Sequence, residues 1–108
     1  MKQFEFDGYI CKLGENSKEN WELFDNSQEN NIFLHLSSFP SGYVILENTD
    51  TFSIDMIYMA AKICKDNTKY KNIRNIKVDY CKCSNLFKGL VIGEVIFHSK
   101  RQVKQVKI

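Results

Sequence analysis

Ile54-Asp55-Met56-Ile57-Tyr58-Met59-Ala60-Ala61-Lys62-Ile63-Cys64-Lys65-Asp66 decides the fold class. Ile54, Ile57, Ala61 and Cys64 recur at the spacing of one helix face. Thr51 or Ser53 supplies an N-cap, and Asp55 in the first turn suits the positive end of the helix dipole. Lys62 and Lys65 take the other face near the C-terminal end, and Asp66-Asn67-Thr68 stops the run. The pattern predicts a helix over about residues 53–66, the one principal helix of the chain.

Strand patterns flank it on both sides. Phe4, Phe6, Tyr9 and Cys11 sit among polar residues in a first strand-like run, and Gly14-Glu15-Asn16-Ser17 reads as a turn. Trp21, Leu23 and Phe24 follow, in a short helix or an ordered loop. Ile32-Phe33-Leu34-His35-Leu36 and Tyr43-Val44-Ile45-Leu46, joined through Phe39-Pro40-Ser41-Gly42, read as a hairpin. Beyond the helix, Ile76, Val78 and Tyr80 alternate with Lys77 and Asp79. Cys81 to Gly89 reads as a basic connection, and Val91 to Phe97 as an apolar run. Ser99-Lys100-Arg101-Gln102 reads as a hairpin tip, and Val103, Val106 and Ile108 as a last strand. The expected class is α+β: a single domain over residues 1–108, mainly antiparallel sheet.

The charge is split along the chain. Residues 1–60 carry 3 Lys against 10 acids, net −7, whereas residues 61–108 carry 12 Lys or Arg against 3 acids, net +9. A basic half offset only by Asp66, Asp79 and Glu94 is the footprint of a polyanion-binding surface. A fold can also interleave the two halves and cancel the effect. The charged N-terminus lacks the apolar run of a signal peptide, and no stretch has the length of a membrane span, so a soluble cytoplasmic protein without membrane contact is expected. In that compartment Cys11, Cys64, Cys81 and Cys83 are expected as free thiols.

Catalytic and metal patterns are poorly provided for. Cys81-x-Cys83 lacks the spacing and the second pair of a zinc knuckle, although His35 and His98 are further ligand types. No Ser elbow or Gly-rich phosphate loop orders a nucleophile or nucleotide. His35 lies inside an apolar strand, where packing is the simpler role. A non-enzyme without metal or cofactor is expected. Arg74, Lys77, Lys82, Lys88, Lys100, Arg101, Lys104 and Lys107 instead recur through the last strands, with Tyr70, Tyr80 and Phe87 among them. Lysines contact phosphates and exposed aromatics stack on bases. With two Arg in this half, bidentate base reading is sparse, and backbone or shape recognition is favoured.

The order of motifs adds a resemblance. Asn31-Ile32-Phe33-Leu34-His35-Leu36 resembles the D-I-W-F-H-V run of the NFACT-R (NFACT RNA-binding) domain family. Gly14-Glu15-Asn16 with Asn20 is similar to its G-[RK]-[ND]-x₃-N loop, and Val78-Asp79-Tyr80 to its V-x-Y strand. Ser84-Asn85-Leu86-Phe87-Lys88 resembles S-N-L-K-K, and Gly93-Glu94-Val95-Ile96-Phe97-His98 resembles G-x-V-x-F-H. These last two are most similar to the stand-alone eukaryotic branch typified by coiled-coil domain-containing protein 25, without its charged C-terminal helical tail. Glu15 replaces the basic loop residue, Asn31 and Phe33 replace Asp and Trp, Tyr43 stands where a second His is usual, and Cys81-Lys82-Cys83 replaces T-P-W.

The resemblance implies non-catalytic RNA work close to translation: binding to the ribosome through rRNA, or to tRNA. Occupation of a tRNA site would silence or protect ribosomes. The expected RNA-binding residues are Arg74, Lys77, Lys82, Asn85, Lys88, Lys100, Arg101, Lys104, His35 and Tyr43, with Lys88, Asn85, His35 and Tyr43 on a shared face. The acidic half is left to repel RNA or to engage ribosomal proteins. The alternatives are DNA binding by the same surface, a protein-interaction adaptor, and an enzyme using Cys81, Cys83 or His98.

Overall fold

The structure is a computed structural model that describes residues 1–47 and 53–108. Strands β1 (Lys2–Phe6) and β2 (Tyr9–Leu13) form an antiparallel hairpin, not one run. Asp7 and Gly8 both have positive φ, 49° and 80°, as a two-residue hairpin turn demands, and Asp-Gly is among its preferred dipeptides. Helix α1 spans Ser17–Asp25, so the stretch around Trp21 is helical. Asn16 caps it by accepting from the Glu19 amide at 2.9 Å, and the Glu19 carboxylate reaches back to the Glu15 amide at 3.0 Å.

Strands β3 (Ile32–Leu36) and β4 (Val44–Glu47) pair antiparallel as expected. Helix α2 runs Ile54–Asp66 with the Ser53 hydroxyl accepting from the Met56 amide at 3.3 Å; the Thr51 alternative lies outside the described residues. The face of α2 is rotated from the expected one. Met56, Ile57, Ala60, Ala61 and Cys64 are buried, while Ile54 is 59% exposed. Small residues at 60, 61 and 64 let the backbone approach the sheet, so the seam follows them. Lys65 is buried too, and its ammonium donates to the Ile108 carbonyl at 3.1 Å.

The C-terminal third departs most from expectation. Strand β5 (Lys77–Lys82) leads through a single 3-10 turn, Cys83–Asn85, into β6 (Leu86–Lys88), which pairs with β7 (Val95–Phe97) in a separate ribbon. Of the apolar run, only its end is strand. The chain turns between Gly89 and Glu94, which share a 2.9 Å backbone bond, and Leu90, Val91 and Ile92 stand exposed at the tip. Residues 99–102 are no hairpin tip. Lys100–Gln102 is a 3-10 turn that carries the chain from the ribbon to β8 (Lys104–Lys107), which pairs with β5.

The main sheet has the order β1-β2-β4-β3-β5-β8, with every pairing antiparallel. This is the α+β class the sequence predicts, with a second helix added. One face packs on α2 through Cys11, Leu13, Ile32, Leu34, Leu36, Val44, Leu46 and Val78. The opposite face presents Phe33, Ile45 and Cys81 to Leu23, Leu86, Val95 and Phe97 of α1 and the ribbon. With β3 and β4 buried on both faces, their near-continuous hydrophobic sequence follows. At Gly93 (φ 90°) an added Cβ would meet Ser17 of α1 at 2.7 Å, so the ribbon seats closely on α1.

Candidate nucleic-acid interface

The sheet order turns the charge split of the sequence into a split in space. Strands from the acidic half fill one side (β1, β2, β4, β3) and strands from the basic half fill the other (β5, β8). Ion pairs do not erase it. Of the acids of the first half, Glu15, Glu19, Asp25 and Glu47 engage the Met1 ammonium, Lys2, Lys12 and Lys88. None of Arg74, Lys77, Lys82, Lys100, Arg101, Lys104 and Lys107 forms an ion pair among the described residues, and all seven are exposed.

Register fixes how these cations are displayed. Lys77 lies directly opposite Lys107, and Lys104 opposite Tyr80. Side chains alternate between faces along a strand, so Lys77 and Lys107 share the face of Asp79 and Gln105. Lys82 and Lys104 lie on the α2 side. The lysines of β5 and β8 therefore divide between the two faces on this side of the sheet and do not tile one flat face. Lys100 and Arg101 extend the edge from the 3-10 turn, and Arg74 stands in the loop that enters β5. Lysine on an edge strand also discourages edge-to-edge pairing. That role asks for isolated charges, whereas a like-charged pair directly across a ladder is destabilising.

Of Lys88, Asn85, His35 and Tyr43, expected on a shared face, most are engaged within the fold. Asn85 is 3% exposed; its amide donates to the Ser99 carbonyl at 2.9 Å, and its carbonyl accepts from the Ser99 amide at 2.9 Å. Tyr43 is buried, its hydroxyl donating to the Gly93 carbonyl, and burial pushes its phenol pKa up. Lys88 is ion-paired to Asp25 at 2.6 Å and lies 4.8 Å from the centre of the Trp21 ring. Asn85 and Tyr43 are thus internal braces: each sits where strand, ribbon and loop meet and backbone groups need partners. Lys88 is neutralised in place.

His35 is half-buried, between Phe33 (stacked, centroids 6.4 Å) and Tyr43 (edge-on, 5.4 Å). Burial holds its imidazole below the ordinary value, opposed by a backbone hydrogen bond at Leu36 and by the Asp79 charge. Asp79 is its direct cross-strand partner. The Gln105 amide donates to Asp79 Oδ1 at 2.8 Å and to the Ser37 hydroxyl at 3.0 Å. Beside this network lies a cleft of about 430 Å³ lined by Asp79, Phe97, Lys100, Val103 and Gln105. Gln105 carried no sequence signal and Val103 only that of a strand; the β5–β8 register sets Gln105 opposite Asp79. Of the aromatics, Tyr80 packs on the core and Tyr70 lies against Phe39, whereas Phe87 is exposed beside His98.

Burial pushes all four thiols up: Cys11 and Cys83 to about 12, Cys64 and Cys81 to about 11. Such thiols stay protonated and make poor nucleophiles and metal ligands. Among the described residues no group of three or more His, Cys, Asp or Glu side chains is gathered for a metal ion. No described helix is long and apolar enough to cross a membrane.

No protein-family model matches the chain. It is similar to a coiled-coil domain-containing protein 25 homolog of Dictyostelium discoideum, at 26% identity over 108 residues, covering 92% of this chain and 52% of that protein. The chain thus spans about half the length of the curated relative it matches. In fold it is similar to the C-terminal part of the fibronectin/fibrinogen-binding protein of Streptococcus suis, with a TM-score of 0.86 and 20% identity over 98% of this chain and 43% of that one. The structural likeness shows the fold alone, and the sequence likeness supports the coiled-coil domain-containing protein 25 branch.

Proposed function

We propose that this protein binds RNA non-catalytically through the basic β5–β8 edge, and that it associates with the ribosome through rRNA, or with tRNA. The carrying observation is the direct opposition of Lys77 and Lys107 within a row of cations that no described acid neutralises. Such a row has unfavourable self-energy alone and gains when a phosphate backbone lies along it. The ordered NFACT-R-like motifs favour RNA near translation. A basic domain of this size seated in a tRNA site would exclude tRNA by sterics, which silences or shields the ribosome.

Cosedimentation with ribosomes across a salt series tests the reading. Binding at low salt that falls steeply as salt rises is expected; no association at low salt overturns it. Competition between tRNA and duplex DNA of equal charge separates RNA binding from DNA binding, since phosphate contacts discriminate poorly between them.

A further inference from the structure

Asp79 is out of place on a phosphate-binding edge. It is the one acid within β5, the 99–103 turn and β8, with Lys77 and Lys107 on its face and Lys100 in the adjoining turn, and it would repel a phosphate backbone. No lysine forms an ion pair with it among the described residues. Instead Gln105 fixes Oδ1 by a 2.8 Å hydrogen bond and is itself held by Ser37. Oδ2 has no partner among the described residues. Asp79 lines the cleft of about 430 Å³ together with Gln105, Phe97, Val103 and Lys100; such a volume is typical of a small-ligand pocket.

These groups define a ligand. An oriented carboxylate accepts two parallel N–H donors. An aromatic and an aliphatic wall take a flat ring, and a lysine at the rim takes a phosphate. Guanine is the RNA base that presents two adjacent donors, N1–H and N2–H, on its Watson–Crick edge; adenine and cytosine present one amine and uracil one imide there. Unstacked bases in single-stranded loops are recognised in this way. We propose that the Asp79–Gln105 cleft receives one unpaired guanine base of the RNA, read by the Asp79 carboxylate, with Lys100 on its phosphate. The proposal rests on the RNA-binding reading and adds base selectivity to an edge that otherwise contacts backbone.

The test compares binding of short uridine-only RNA with the same RNA carrying one central guanosine, adenosine, cytidine or inosine, by fluorescence anisotropy at fixed salt. Wild type is expected to prefer guanosine by about tenfold, the discrimination of one good bidentate contact, with inosine intermediate because it lacks the N2 amine. Asp79→Asn is expected to lose the preference while binding uridine RNA more tightly, since a repulsive charge is gone; a folding defect would weaken both. Gln105→Ala is expected to reduce the preference without the gain. Equal wild-type affinity for all these RNAs, or a preference that survives Asp79→Asn, overturns the proposal. An NMR titration with guanosine monophosphate separates it from the parent reading. Shifts at Val103 and the Gln105 side-chain amide support the pocket even if no RNA is bound, and their absence into the millimolar range overturns it even if RNA is bound.

Discussion

Lys77 and Lys107 are register partners across β5 and β8, on the same face, and neither forms an ion pair among the described residues. Their repulsion weakens with salt. Lys107→Gln is therefore expected to raise stability at low salt by a few tenths of a kcal/mol, with the gain vanishing at high salt. The same variant is expected to bind RNA more weakly and to flatten the salt dependence by about one unit of slope. Urea denaturation and RNA titration at two or more salt concentrations check both signs.

Asn85 and Ser99 exchange two hydrogen bonds, each of 2.9 Å, and Asn85 is almost fully buried. Asn85→Ala leaves the Ser99 amide and carbonyl without that partner, at a cost of about 1–3 kcal/mol. Because the pair anchors the chain between the ribbon and β8, the loss is expected to loosen Lys100 and Arg101. Hydrogen exchange at residues 98–103 rising ahead of the rest of the sheet would show it. Weakened RNA binding by a fully stable Asn85→Ala protein would instead restore Asn85 as a direct contact.

The motifs of the sequence carried the fold further than the site. The β3–β4 hairpin and α2 were legible because hydrophobic alternation and helical period are local. The Asp7-Gly8 hairpin was legible in principle, as a dipeptide with a turn preference, and was obscured by apolar residues on both sides of it. The face of α2 was misjudged at Ile54 because periodicity alone does not say that Ala60, Ala61 and Cys64 set the closest approach. The roles of Asn85 and Tyr43 depend on Ser99 and Gly93, partners that lie 14 and 50 residues away. The Asp79–Gln105 pair exists only through the β5–β8 register, 26 residues apart. No sequence pattern holds that information.

The thiols give a sign-definite alkaline prediction. Burial raises each folded-state pKa above the ordinary value of 9.0, to about 11 or 12. The native state then holds protons that the unfolded chain releases, so the stabilisation is fully present below about pH 9 and is lost as pH climbs toward 11 to 12. Equilibrium denaturation from neutral pH to pH 10.5 should show a falling midpoint. Iodoacetamide should modify the four cysteines only on unfolding, and rapid labelling of Cys81 or Cys83 in the native protein would contradict their burial.

His35 behaves oppositely. Its folded pKa is depressed, chiefly by burial. The associated stability is present above its unfolded value of 6.5 and is lost as pH falls through the lower folded value. Imidazole proton shifts followed by NMR should titrate below pH 6.5. His35→Gln, which keeps a polar group beside Asp79, should flatten that part of the stability curve.

The indole of Trp21 donates to the Glu94 carbonyl at 2.9 Å beneath the Lys88 ammonium, and the chain has one tryptophan. Both partners belong to the ribbon. Intrinsic fluorescence therefore watches one joint, the seating of β6–β7 on α1, while anisotropy of labelled RNA watches the β8 edge. If the two signals move at different denaturant or salt concentrations, the ribbon opens separately from the sheet, and the molecule carries two independently releasable parts, each with its own optical readout.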